Sequence, residues 1–301
     1  MIAFLFEQYG YYPKEIINNG FVVGEWQFKL LPVDSDEKYI KDIDDYIKQI
    51  RDKFSNKGPH IISTRFGKLF SIYDNQKYVL VSSYKCNMSL KDLNKFHVLF
   101  RESGKKLEMT KLLDTWMSRV TYIEEYAISS LRIDSVYYKK NLETSMFSLG
   151  LAQNALQYLS DIINDYGMEI DDVTITHKRL DNLDSFDFFN PFNLVVDHPI
   201  RDLENLYIAD FLNFDDLTEL LQYYEMDKKV ASLFMARLLY PCKILDLLES
   251  NIENKNSNFK IECNIEKELA KLKKIYEYLK QVYGIRPIEW LEYRWYHLLL
   301  H

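Results

Sequence analysis

Glycine is the conspicuous shortage in this chain, with nine in 301 residues. Loops that cradle phosphate need bare backbone that can approach an anion closely and take left-handed turns. So few glycines argue against such a loop. Cysteine is scarcer still: Cys86, Cys242 and Cys263 are odd in number, far apart and in no metal-ligand spacing. They read as reduced cytosolic thiols and not as a disulfide framework. Long apolar runs are missing as well, since none approaches the ~18–20 residues that span a bilayer. The opening MIAFLFEQYGYYPKEI is apolar but lacks the basic start and small-residue cleavage site of a signal peptide. Cytoplasmic synthesis without a membrane span is therefore expected. Positive charge is also in deficit, with 38 Lys and Arg against 45 Asp and Glu and a net −7. That balance excludes nucleic acid as an expected partner. Among six histidines only His297 and His301, in the terminal HLLLH, sit at helical i, i+4 spacing. With no third ligand beside them, they do not make a zinc site.

What is present is a folded composition, 47% hydrophobic and 28% charged, with aromatics enough to fill a large core. Residues 1–88 read as a small, mostly β lobe. IAFLFEQYG is a short amphipathic helix or strand, NNG and Gly24–Glu25 are turns, and WQFKLLPV alternates like a strand. A helix follows, capped by Asp34 or Ser35, with Tyr39, Ile40, Ile43, Tyr46, Ile47 and Ile50 at helical intervals. NKGPH breaks it, and HIISTR, GKLFSIYD and QKYVLVSSY are three more strands. Residues 89–301 are mainly helical, opening at a capping Ser89. Only the segment from Thr176 to Leu203 interrupts them with a polar loop and an apolar strand, NLVVD. This order is that of a two-lobed, protein-kinase-like α+β fold, which by itself fixes no chemistry.

Four blocks carry a closer resemblance: GLAQNALQYLSD (150–161), THKRL (176–180), VVDHPIRDL (195–203) and ARLLYPCKILDLLES (236–250). In kind and order they resemble the aminoglycoside-phosphotransferase-like kinases, and within those the spore-coat CotS/YutH group. In-line phosphoryl transfer needs a carboxylate to orient the attacking hydroxyl, an acidic metal ligand and a cation on the phosphates. In that superfamily the catalytic loop is HGDxHxxN, followed by a strand-borne metal aspartate. His177, Lys178 and Arg179 fall on the first three loop positions, so Arg179 stands where the base belongs, and a guanidinium accepts no proton. Asp181 replaces the second histidine. Asp184 falls on the metal-binding asparagine, as a metal ligand or as a solvated loop aspartate. Asp197 matches the metal aspartate; its alternatives are to cap the turn DHPIRD or to pair with a nearby cation. Asp202 matches the structural aspartate that holds the loop, and His97 a packed helix histidine.

Lys29 falls on the phosphate-binding lysine, with an exposed strand lysine as the plain alternative. The acid expected opposite it is missing, because the next helix carries only Asp42, Asp44 and Asp45 in its body. The resemblance with these departures implies a catalytically degraded kinase-like protein, a structural or interaction component of the bacterial spore coat. Its partners would be other coat proteins, and it would need no cofactor. Two alternatives stay open. One is an ATP-dependent small-molecule phosphotransferase using Asp197, Asp184 and Lys29 with Mg–ATP. The other is a non-catalytic nucleotide- or sugar-binding module.

Overall fold

The apolar start of the chain settles as a helix, α1 (Ile2–Tyr9), with Phe4 and Leu5 buried. This computed structural model describes residues 1–55, 58–224, 226–254 and 259–292. The HLLLH pair His297 and His301 lies outside them, as do parts of NKGPH and of the polar run after α10 below. Two compact units form, Met1–Lys105 with Asp172–Phe211, and Lys106–Asp171 with Leu212–His301.

In the first unit Asn18 and Asn19 take positive φ, and β1 (Gly20–Val23) folds onto β2 (Trp26–Pro32). Phe21 lies opposite Phe28, their rings stacked with centroids 4.9 Å apart, a cross-strand pair that fixes the register. The helix α2 (Glu37–Lys53) is capped by Asp36, which accepts from Tyr39 N at 2.7 Å. Asp34 and Ser35 do not cap it, because the helix begins at Glu37 and puts Asp36 at the capping position. Gln76 holds the Asp34 carboxylate, and Lys77 the Ser35 carbonyl. β3 (His60–Ile62), β4 (Ser71–Tyr73) and β5 (Gln76–Tyr84) complete an antiparallel sheet in the order β1-β2-β5-β3, with β4 also on β5. Alternation sorts its core. Phe28, Leu30 and Leu80 pack on α1 from one face. Val79, Val81 and Ile61 meet Ile40 and Ile47 of α2 on the other. Then α3 (Leu90–Leu99) starts from a reciprocal Ser89–Asp92 capping box.

In the second unit, β6 (Leu107–Glu108) leads into α4 (Met109–Ser130) and α5 (Tyr138–Tyr166), and β7 (Glu169–Ile170) pairs back onto β6. The chain then contributes β8 (Thr174–His177), α6 (Ser185–Phe188), a 3-10 turn at Pro191–Asn193, β9 (Leu194–Asp197) and α7 (Ile200–Ile208) to the first unit. The second resumes with α8 (Phe214–Tyr223), α9 (Lys228–Leu239), α10 (Cys242–Asn254), α11 (Ile265–Tyr283) and α12 (Glu289–Glu292). Pro241 divides what reads as one apolar stretch into α9 and α10, since its ring and missing N–H cannot continue a helix. Beside that break Tyr240 stacks on Trp116 at 4.1 Å, and Arg119 bridges Asp246 and Glu249. No described helix is long and apolar enough to cross a membrane.

Asn141 of α5 is buried and holds the approach to α11. It donates to Phe259 O at 2.8 Å and accepts from Ile261 N at 2.9 Å. Asn141→Ala strands both backbone groups and should lower the unfolding free energy by about 2–4 kcal/mol. The readout is a lower urea midpoint at unchanged slope. A change within about 0.5 kcal/mol, the range of an ordinary surface substitution, would contradict this role.

Candidate functional site

Asp202, fully buried in the first turn of α7, is the centre on which the loop segments converge. Its Oδ1 accepts the backbone N–H of His177 at 2.8 Å. Its Oδ2 lies 2.8 Å from His177 Nδ1 and 2.9 Å from His97 Nε2. One carboxylate thus joins α3, the end of β8 and α7. Burial alone would raise the Asp202 pKa, but His177 and then His97 outweigh it and hold the carboxyl well below its ordinary range. For His177, burial opposes the charged form, yet Asp202 and the Phe188 carbonyl carry its pKa above the ordinary value. Taking one partner out of so buried a pair costs about 3–5 kcal/mol.

Asp197 emerges at the end of β9, 2% exposed. Its Oδ2 meets Arg201 Nη1 at 2.8 Å and its Oδ1 accepts the His198 N–H at 2.7 Å. The same Arg201 donates to His177 O at 2.9 Å and to Lys178 O at 3.3 Å. Its guanidinium therefore ties the strand end to the loop. Arg179 is half-buried: its backbone N–H donates to Asn193 Oδ1 at 3.1 Å, and its guanidinium Nη1 donates to the Lys178 carbonyl at 2.8 Å. The Asn193 amide returns a bond to the Arg179 carbonyl.

Lys29 and Asp184 come together elsewhere in this unit, on a cavity of about 1040 Å³. β1 and β2, residues 85–87 after β5, and Asp184, Phe186 and Asp187 of the α6 segment line it; Asp197 is not among its lining residues. Lys29 is half-buried, with Nζ 5.0 Å from the centre of the Phe186 ring. Of the α2 acids, Asp44 and Asp45 both hold Lys48. Asp184 caps α6, its Oδ1 accepting from Phe186 N (2.8 Å) and Asp187 N (3.1 Å). Half-buried Asp187 has its pKa raised, by burial first and by the Asp184 charge next, against the pull of Asn182 and Lys29.

The α6 segment also closes the backbone edge that follows β5. Met88 N donates to Leu183 O at 2.7 Å and Ser185 N to Cys86 O at 2.9 Å. Buried Ser185 Oγ bonds the Tyr84 carbonyl and accepts from Cys86 N (3.3 Å) and Gln27 (3.0 Å). Arg201 and Ser185 are the participants that sequence reading passed over. For Arg201 a signal existed, since DHPIR puts an acid and a base four residues apart at a helix start. Ser185 carried none, because its partners lie about a hundred residues away in sequence.

The fold has known counterparts. Spectinomycin phosphotransferase in complex with ADP and spectinomycin superposes with a TM-score of 0.52 at 14% identity, covering 92% of both chains. The AMP-bound complex of spectinomycin phosphotransferase gives 0.49 at 12% identity, over 92% of this chain and 94% of that one. At such identity the likeness concerns the fold alone: two-lobed, α+β and protein-kinase-like, as the element order implied. The endospore coat-associated protein YutH of Bacillus subtilis (strain 168) is 29% identical over 156 residues, 46% of this chain and 45% of that protein. The match thus spans less than half the length of that relative. A family model described as "Spore coat putative kinase YutH" matches residues 2–282, and on that match the chain belongs to the YutH spore-coat family.

Proposed function

We propose that this protein is a kinase-fold component of the bacterial spore coat that acts by binding other coat proteins and does not transfer phosphate. The observation that carries this reading is the Asp197–Arg201 pair. A divalent cation at Asp197 would have to displace a guanidinium that already neutralises the carboxylate and holds two loop carbonyls. Three further features point the same way. Arg179 at the base position accepts no proton. Asp184 spends an oxygen on the α6 amides. The N–H and C=O groups after β5, the kind of edge a purine would read, are taken by residues 183–185. The name of the Bacillus subtilis relative supports the coat as the place of action.

The cavity at Lys29 favours a second reading, a module that holds a small ligand without reacting with it. Titration separates the two. Adding ATP or ADP, with and without Mg²⁺, should leave the melting temperature unchanged. A saturable Mg²⁺-dependent stabilisation that disappears in Asp197→Ala would sink the proposal, because ligand binding to the native state alone must raise stability. Stabilisation independent of Mg²⁺ and of Asp197 would favour the second reading.

The ion pair makes its own prediction. Arg201→Gln should destabilise the protein by about 3 kcal/mol. The double variant Asp197→Asn, Arg201→Gln should recover a large part of that loss, a coupling of about 1–3 kcal/mol in a double-mutant cycle. Additive losses would mean that the two side chains do not act as a unit.

A further inference from the structure

The hydrogen-bond partners of His177 in this fold call for a charged ring. Nδ1 faces the Asp202 carboxylate at 2.8 Å, and Nε2 faces the Phe188 carbonyl at 2.7 Å. Both partners only accept hydrogen bonds, so both ring nitrogens must carry a proton. A neutral imidazole has one N–H to give. The ionised carboxylate is the stronger acceptor, so a neutral ring would keep Asp202 and turn a lone pair toward the Phe188 carbonyl at hydrogen-bond distance. That carbonyl belongs to the last residue of α6, the segment whose other end seals the edge after β5 through Leu183 and Ser185.

We infer that His177 is a proton-operated latch on residues 183–189, closed over the edge after β5 while the imidazole is charged and loosened when it is neutral. The charged groups facing it are Asp202 and Arg201 from α7, with His97 from α3 sharing the Asp202 oxygen. α6 contributes the Phe188 carbonyl and ring, and β9 contributes Leu194, with Asp197 at the far end of that strand held by Arg201. Asp202 favours the proton; Arg201 opposes it. Because the pKa in the folded protein lies above that of a free histidine, the closed state is complete below about pH 6.5. It weakens only as pH rises through the higher folded value. The change is local, since Phe188 and Phe189 remain packed with Phe54 and Phe96. It would enlarge the cavity on the side walled by Asp184, Phe186 and Asp187, whether or not the protein binds nucleotide.

The test is amide hydrogen exchange on the full chain from about pH 6 to about pH 10, with each rate corrected for the intrinsic effect of pH. Protection of Met88 and Ser185 should fall by roughly tenfold or more across that range, the worth of one charge-assisted hydrogen bond. Leu30 and Val81 in the sheet should keep theirs. In His177→Gln, protection of Met88 and Ser185 should be low and independent of pH. Nitrogen-15 shifts of the His177 ring in the unaltered protein give an independent readout: both nitrogens should be protonated at neutral pH. A neutral ring there overturns the latch even if the variant fails to fold. So does pH-independent protection of Met88 and Ser185 in the unaltered protein, or the same pH dependence in His177→Gln.

Discussion

The first unit is organised by one carboxylate that accepts three N–H groups. Asp202 draws the ring of His97, the ring of His177 and the His177 backbone to a point with no access to water. A buried charge survives only when its oxygens are saturated, so none of the three donors can be removed without stranding the rest. The position of the β8 end relative to α3 and α7 follows from that demand. The loop beyond His177 hangs from the same point, and Arg201, one residue before Asp202 on α7, adds bonds to the carbonyls of His177 and Lys178. The loop is thereby held by contacts within the protein itself.

Much of this was legible in the sequence because it was local or patterned. Alternation in WQFKLLPV marked a strand with Phe28 and Leu30 on the face opposite Lys29, and the Ser89 cap and the order of strands and helices carried the fold class. For Lys29 an exposed strand lysine was the plain alternative. Instead Phe186 packs beneath its amine, and a residue so distant in sequence leaves no mark on a periodicity argument. Motif matching located Asp197 and Asp184 but could not say what they hold. A carboxylate's partner depends on three-dimensional neighbours, and here those are Arg201 for the one and the α6 amides for the other. The cap of α2 fell one or two residues later than read, on Asp36, because the first helical residue is Glu37 and helix ends are not fixed by periodicity to the residue.

Two local contacts bear on the chemistry that this kinase-like fold could support. A cation four residues along the same chain costs little entropy to bring to Asp197, and it competes directly with any metal for that carboxylate. Closing the edge after β5 needed only a serine and two backbone groups.

The shortage of glycine has a mechanical outcome. Asn18, Asn19, Asp74, Asn75, Asp172 and Asp210 all take left-handed backbone conformations in which glycine would be the relaxed choice. Asparagine and aspartate reach those angles with fewer alternatives open to the unfolded chain, so these reversals are stiffer than glycine hinges. The corner leading into β1, on the rim of the Lys29 cavity, is built this way. An asparagine corner of this kind swings less freely than a glycine one, because fewer backbone conformations are open to it.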